Sequence, residues 1–528
     1  MSRGKVTIIG SGPAGVSAAW PLVQAGIDVL MLDAGKSVST NPDSDRPALN
    51  DIRKGGDDAW RYLLQSDLSG LRNTDNTSPK IRCAVGADFE AGYSEANDIK
   101  TENYMAIGSL TVGGLSGVWG ASVPAFDESD LETFPIGLEQ MKPSYRAVAE
   151  RIGISRAEND LSVNGEAVPS QPALPLSGVA AEVFSRHQSA KCCRELDMAP
   201  MRHAILSENK GERTACDLGG ACMWGCARGA VYNSAVDIEY MSTKPNFTLL
   251  LGRLVVRLEK NPVGGYIIHT RDRETDAVQC VSSETLILAA GTLPSTRLIL
   301  GLLERYDEDI TLLTTPGCVA AFTMPSKIFS TLPDKLFGLA QLAIRRRITE
   351  RPWDYVYGLL FEGTAMPLPD LITHMPLTRV GAIRLARFLL PSLAIVLFNF
   401  PGEYSRCHVT LSKASEGDVG RLQITGGYMD GFETVVRGVM KEIAKDFRKI
   451  GLYMLPMTTN IYCPGSVNHH AGTLPMGAAT SMFGEVKGAA GVFVVDGSVL
   501  NRLPSKNHTF TVMANADRIG RYIARQIA

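Results

Sequence analysis

A buried strand that runs straight into a glycine-rich turn and then a helix leaves a chain few ways to fold. KVTIIG (5–10) is a β-branched run with the continuous apolar character of a parallel strand covered on both faces. It leads into GSGPAG (10–15), then the helix-like SAAWPLVQAG, then a second strand, DVLMLDAG (28–35). In this spacing Gly10 permits the tight turn, Gly12 lets backbone approach a pyrophosphate, and Gly15 lets helix and strand pack closely. The helix start offers free N–H groups and the positive end of its dipole to phosphates. Asp33, closing the second strand, is placed to accept from ribose hydroxyls. The residues expected around a dinucleotide here are Gly10, Ser11, Gly12, Pro13, Ala14 and Gly15, with Asp33 and Ala34. Pro21 lies inside this helix, where it should remove the bond to the Ser17 carbonyl and kink the axis.

Three later stretches bear on which dinucleotide is bound. VGGLSGVWGAS (112–122) carries paired glycines that allow close backbone approach to a flat or anionic ligand. SSETLILAAGTLPSTRLIL (282–300) is an apolar strand ending in Ala-Ala-Gly before a helix, and GVFVVDGSVLN (491–501) is another buried strand ending in Asp496 and Gly497. The candidate sheet is thus assembled from both ends of the chain, whereas an NAD enzyme usually keeps its nucleotide fold contiguous. A reductase using NADH would also want a second GxGxxG module, and none is present; VGGLSGVWG follows no buried strand and lacks the acid.

With 528 residues the chain exceeds one typical domain, and 45% hydrophobic with 20% charged residues suits a globular protein with sizeable cores. A net charge of −2 gives no electrostatic reason to expect nucleic acid. The N-terminus has no apolar core before a small-residue cleavage site, and FLLPSLAIVLFNF (388–400) is too short to span a bilayer and is broken by Pro391. Ten cysteines without such a leader are expected to be reduced thiols, so the expected location is the cytoplasm.

VNHHAGTLPMG (467–477) places two of the eight histidines side by side. Alone, the stretch does not separate a catalytic base from loop residues. The ordered set GSGPAG, VGGLSGVWG, LAAGTLPSTRLIL, HHAGTLPMG, VVDGSVLN and NHTFTVMA, however, resembles the glucose–methanol–choline (GMC) oxidoreductase family, nearest its sugar-oxidising branch. The match runs from residue 5 to the C-terminal helix and is loose in the middle.

The resemblance implies an α/β chain with a Rossmann-like FAD-binding domain built from discontinuous segments and an α+β substrate domain with an antiparallel sheet. The expected boundaries are 1–160, 215–320 and 460–528 for the first, and 161–214 and 321–459 for the second. The strand-like runs LAIVLFNF, CHVTLS and RLQITGGY (393–428) suit the antiparallel sheet.

The resemblance further implies that His469 is the general base, as the His of a pattern like H-x-A-G-T-x-x-M-G, with His470 at a variable position. Asn507 in NHTFT would be its partner, and His508 replaces the usual proline. An alcohol becomes a hydride donor to the flavin N5 as its proton leaves, so a neutral imidazole and a second polar group at the same oxygen suit the task. The plain reading leaves His470 and His508 packed in loops and donating to carbonyls, and Asn507 as a cap of the last helix. To the flavin contacts the resemblance adds Gly113, Gly114, Ser116, Val118, Val255, Ala290, Asp496, Gly497, His508 and Thr509. Val118 stands where pyranose oxidases carry a flavin-linked His, so non-covalent FAD is expected.

The implied substrate is a sugar or glycoside, with oxygen, a quinone or a redox protein as electron acceptor. The alternatives are a non-sugar alcohol, or a flavin-binding protein without catalysis. RTACDLGGACMWGCARGAVYN (213–233) groups Cys216, Cys222 and Cys226, with Cys192 and Cys193 upstream. They read first as buried small hydrophobes around a tight turn. The alternative is an iron–sulfur site, by resemblance to bacterial FAD-dependent glucose dehydrogenases. LFGLAQLAIRRR (336–347) and LTRVGAIRLARFLL (377–390) read as arginine-studded helices covering the substrate-domain sheet. A lid, an anionic-sugar dock or a membrane-surface contact is the lesser alternative for them, and no membrane contact is predicted.

Overall fold

The computed structural model describes residues 6–38, 47–54, 63, 80, 92–158, 160–161, 168–190, 195–226, 228–367, 377–413 and 419–527. Cys192 and Cys193 lie outside the described residues.

The apolar runs form one parallel sheet of five strands, in the order Val492–Val494, Thr285–Leu288, Val6–Ile9, Val29–Leu32, Phe247–Leu250. Ile9 pairs with Leu288 and Leu32, and Leu288 pairs with Val494. Both ends of the chain therefore meet in one sheet. Its first two strands are buried at every residue, as strands covered on both faces must be.

The helix Pro13–Gln24 packs against the C-terminal helix Thr509–Ile527. The approach is close: a side chain at Gly520 would lie 2.4 Å from the Ala18 carbonyl oxygen and 2.8 Å from Pro21 Cγ. Pro21 does not end its helix, which continues through Gln24. Its ring serves instead as the surface on which Gly520 sits.

A seven-stranded antiparallel sheet forms the second core. It runs Tyr453–Met454, Gly317–Thr323, Leu393–Asn399, Tyr355–Glu362, Leu342–Arg347, Leu196–Pro200, with Asn460–Ile461 also paired to Gly317–Thr323. Side chains alternate across it. Val396 and Phe398 pack with Val436, Ile443 and Phe447 of the helix Phe432–Lys449, while Tyr357 and Leu359 form a cluster on the opposite face, with Leu397 packed against it.

Two expectations are corrected here. LAIRRR (342–347) is a strand, not a helix: Arg345 pairs with Asp197 at 2.8 Å and Arg346 with Asp446, so two of its three arginines are held by ion pairs. Cys407–Ser412 and Arg421–Thr425 are strands but belong elsewhere. They join a separate five-stranded sheet with His470–Ala471, Ile310–Thr314 and Ile99–Glu102.

The other arginine-rich stretch does form a helix, Arg379–Leu389, capped by the Thr378 side chain accepting from the Gly381 N–H. It buries Ala382 and Ala386 and exposes Arg384 and Arg387 together with Val380, Ile383 and Phe388. Among the described residues no helix is long and apolar enough to cross a membrane.

Candidate active site

The glycine turn is built for close approach. Gly10 has φ +99°, and a side chain there would meet the Ala289 carbonyl oxygen at 2.4 Å. One at Gly15 would meet the Gly10 carbonyl oxygen at 1.9 Å. Gly12 is different: a side chain there would meet no described atom within 4 Å, and Gly12 opens the helix Pro13–Gln24 with no side-chain cap. Nothing in the fold itself demands a glycine at that position. The open space in front of an uncapped helix start fits an anionic group, and Pro13 and Ala14 begin that helix.

The second glycine loop folds onto the first. Gly113 donates its N–H to Ser11 Oγ at 2.9 Å, and a side chain at Gly114 would lie 3.3 Å from Gly12 Cα. Ser116 Oγ donates to the Gly113 carbonyl at 2.5 Å and accepts from the Ser234 N–H, which stitches the loop shut. Asp33 accepts from the Ser11 and Gly35 N–H groups at 2.8 and 2.7 Å. Burial pushes its carboxyl up, against the pull of those N–H donors. Ala34 lies beside it, its carbonyl accepting from Arg273.

Asp496 is a clip. One carboxylate oxygen accepts from Ser295 Oγ at 2.5 Å and the Gly291 N–H at 3.1 Å, the other from the Ser498 N–H and hydroxyl. Gly291, following Ala290, is open in front of its own helix, Thr292–Leu302. Gly497 packs under the His470 carbonyl, where a side chain would lie 2.6 Å away. Thr509 begins the last helix. Val118 and Ile107 form a small buried cluster, and Val255 is buried on the strand Arg253–Lys260 at an irregularity before Arg257. These residues fit FAD: glycine backbone, an uncapped helix start and fixed carboxylates surround space that side chains would otherwise fill.

The paired histidines have opposite environments. His470 is fully engaged: Nε2 donates to the Ile107 carbonyl at 3.3 Å, and Nδ1 pairs with the Tyr104 hydroxyl. His469 lies in the same buried stretch, with Nδ1 3.1 Å from Thr315 Oγ1 and Nε2 3.3 Å from Asn507 Nδ2. An amide nitrogen can only donate, so Nε2 accepts and Nδ1 carries the hydrogen, given to Thr315. Burial, aided by His508 and His470 nearby, holds His469 well below its ordinary range. It is therefore a neutral imidazole with its lone pair on Nε2. Asn507 Oδ1 and His508 Nδ1 are buried with no partner among the described residues. The His508 ring stands edge-on to His469 with centroids 4.8 Å apart.

Sequence reading missed what supports this pair. Lys506, next to Asn507, is buried with Nζ 2.7 Å from Asp127 and 2.7 Å from Asp130. A buried ammonium so held fixes the segment rigidly, and removing it would strand two buried carboxylates. Thr315 was equally invisible, since an isolated Thr carries no signal of the imidazole it orients.

Among the described residues no three His, Cys, Asp or Glu side chains form a group that could hold a metal ion. Cys216, Cys222 and Cys226 are half-buried around the turn, and burial with neighbouring thiols pushes Cys216 up to about 11 and Cys222 to about 12.

The buried histidines also set the acid limit of the fold. Burial lowers His203 to about 3 and His470 and His508 to about 4, whereas an unfolded His titrates near 6.5. The unfolded chain thus binds more protons below pH 6.5, and the stability present above that pH is lost as pH falls toward 4. The thermal midpoint is expected to drop by on the order of 10 °C between pH 7 and 4. A flat midpoint across that range in a melting series would show that these imidazoles are not buried neutral.

Comparisons with known proteins bear on the family and the fold. An FAD binding domain family model matches residues 3–48, and a GMC oxidoreductase family model matches residues 455–516. Paromamine 6′-oxidase of Streptomyces fradiae is 24% identical over 98% of this chain and 91% of its own length. The 6‴-hydroxyparomomycin C oxidase of Streptomyces lividus is 23% identical over 99% and 92%. Among solved structures, pyridoxine 4-oxidase from Mesorbium loti superposes with a TM-score of 0.62 at 16% identity, covering 98% of this chain and 99% of that one. Formate oxidase of Aspergillus oryzae RIB40 gives 0.63 at 13%, over 100% and 99%. The fold is common to all.

Proposed function

The chain belongs to the glucose–methanol–choline oxidoreductases, with FAD as its cofactor, and on that premise we propose that it oxidises a hydroxyl of a sugar or glycoside to a carbonyl. The observation that carries this reading is the His469–Asn507 pair: a buried neutral Nε2 lone pair 3.3 Å from an amide whose oxygen has no other described partner. Two groups so close can address one substrate oxygen. His469 Nε2 takes the hydroxyl proton, and the Asn507 amide N–H donates to the same oxygen as charge grows on it. Thr315 holds the Nδ1 hydrogen and so keeps the lone pair on the working side. FAD, when bound, supplies the two-electron acceptor for the carbinol hydrogen. The residues that would hold it are Gly10–Gly15, Asp33, the Gly113–Ser116 loop and the Asp496–Gly497 turn. Val118 supports a non-covalent attachment.

Both Streptomyces relatives are named for oxidising paromamine or a paromomycin derivative, which makes paromamine the first glycoside to try. We read 1–160, 215–320 and 460–528 as the flavin-binding part and 161–214 and 321–459 as the substrate-binding part. Electrons would leave to oxygen, a quinone or a redox protein. Free thiols at every described cysteine suit the cytoplasm.

The test is anaerobic mixing of the flavin-loaded protein with a panel of sugars, glycosides and monohydric alcohols, followed by flavin bleaching. Bleaching by at least one carbohydrate, faster than by any simple alcohol, is expected. If no carbohydrate bleaches the flavin, the substrate class is wrong.

A further inference from the structure

The face of the seven-stranded sheet turned away from the helix Phe432–Lys449 holds a residue that the fold does not explain. Asn399 ends the strand Leu393–Asn399 and is fully buried. Neither its Oδ1 nor its Nδ2 has a hydrogen-bond partner among the described residues. A buried amide left with both ends unmet is costly, and native interiors keep few of them. It stays where something else completes it.

Its surroundings are those of the proposed reaction. Side chains alternate along the strand, so with Val396 and Phe398 turned to the helix side, Asn399 shares the face of Leu397. Its direct neighbours across the sheet are Gly317 on one side and Tyr357 on the other. A side chain at Gly317 would strike Val467 Cγ2 at 2.7 Å, so the segment leading into His469 covers this patch. Thr315, which holds His469, precedes Gly317 by two residues. Tyr357 lines a small cleft with Lys506, the neighbour of Asn507. Three residues beyond Asn399, the Gly402 N–H donates to the Leu503 carbonyl at 2.7 Å, which ties the strand end to the segment carrying Asn507.

We propose that Asn399 is a substrate-binding residue that reads a second, non-reacting hydroxyl of the substrate ring. The inference rests on the alcohol-oxidising reading of His469 and Asn507. Those two address the reacting oxygen, and a carboxamide presenting one acceptor and two donors matches a neighbouring hydroxyl, which itself both donates and accepts. It is neutral, so it carries no charge that would favour an ammonium or a carboxylate over a hydroxyl. A monohydric alcohol leaves it unmet. The residue therefore turns a general alcohol site into one for polyols, in which the missing partner is supplied only by a polyhydroxylated ring.

The experiment compares wild type with Asn399→Leu, close in volume, by anaerobic flavin reduction. The probes are paromamine (or the panel glycoside that bleaches fastest), its ring-deoxy analogues lacking one non-reacting hydroxyl each, and cyclohexylmethanol. The substitution should lower kcat/KM for the glycoside by about 100-fold, mostly through KM, and leave cyclohexylmethanol within about twofold. One deoxy analogue should lose a similar factor on wild type and little further on the variant. An equal loss on cyclohexylmethanol, or full additivity for every deoxy analogue, would overturn the assignment. If Asn399→Leu does not fold, Asn399→Asp, which keeps the shape and one acceptor, takes its place in the same cycle. A wild type that no carbohydrate reduces removes the functional reading itself; an active wild type with an indifferent variant removes only Asn399.

Discussion

His469→Ala should purify with its FAD and its fold intact and reduce that FAD about 10²- to 10⁴-fold more slowly with substrate, a loss of about 3–5 kcal/mol of transition-state stabilisation. The imidazole is buried. Its described side-chain neighbours are Thr315, Asn507 and His508. Removing it leaves the substrate oxygen with the Asn507 amide alone, which donates but cannot take a proton. His470 cannot substitute, because Tyr104 and the Ile107 carbonyl occupy both its nitrogens. Rapid-mixing flavin reduction under anaerobic conditions measures the effect. A variant as fast as wild type would take His469 out of the chemistry.

Gly12→Val should abolish FAD binding while leaving the apoprotein folded. At many tight turns a glycine is needed by the fold, and Gly10 and Gly15 are such cases, since a Cβ at either would run into backbone. Gly12 has ordinary backbone angles, φ −65°, and open space before it. A valine there fits the protein and fills the ligand's place. The expected preparation is colourless, melts with the apo wild type and does not take up added FAD. Gly10→Val, by contrast, should fail to fold. Flavin content and a melting curve on the two variants separate the roles, and a yellow Gly12→Val protein would mean that the open space is not the phosphate site.

What was legible in the sequence was whatever a local rule dictates. A pyrophosphate needs bare backbone at a helix start, and that requirement writes glycine at fixed intervals, so GSGPAG and the strand before it could be read directly. Buried parallel strands advertise themselves as unbroken apolar runs, which is why three segments spread over the whole chain could be assigned to one sheet. The rest depends on partners far away in sequence. LAIRRR looked helical because its arginines suggested a solvated face; Asp197 and Asp446, 148 and 100 residues away from the arginines they pair with, are what let them lie on a strand. The strands at 407–425 suited the substrate-domain sheet, and their pairing with Ile310–Thr314 on one side and, through Leu422 and Ile99, across more than half the chain on the other puts them in another sheet. Pro21 could be read inside its helix, but nothing nearby announces Gly520, the residue that accommodates its ring.

The candidate site divides the same way. His469 and Asn507 lie in motifs and could be named. Thr315, Lys506 and Asn399 could not, because a threonine and a lysine acquire meaning only once the fold sets them beside an imidazole and two carboxylates, and an asparagine only once the fold buries its amide without a described partner. Of the three, Asn399 could have been suspected earliest, since a polar residue inside LAIVLFNF breaks an otherwise apolar strand.

The account stands most directly on the identity of the product. Paromamine carries amines as well as hydroxyls, and either could surrender two electrons to a flavin. Product analysis of a single anaerobic turnover decides between them. One carbonyl formed for each flavin reduced, with all substrate nitrogen retained, is what a base and an amide gathered around one hydroxyl oxygen predict. Flavin reduced with release of ammonia, and no new carbonyl at a former alcohol carbon, would contradict it.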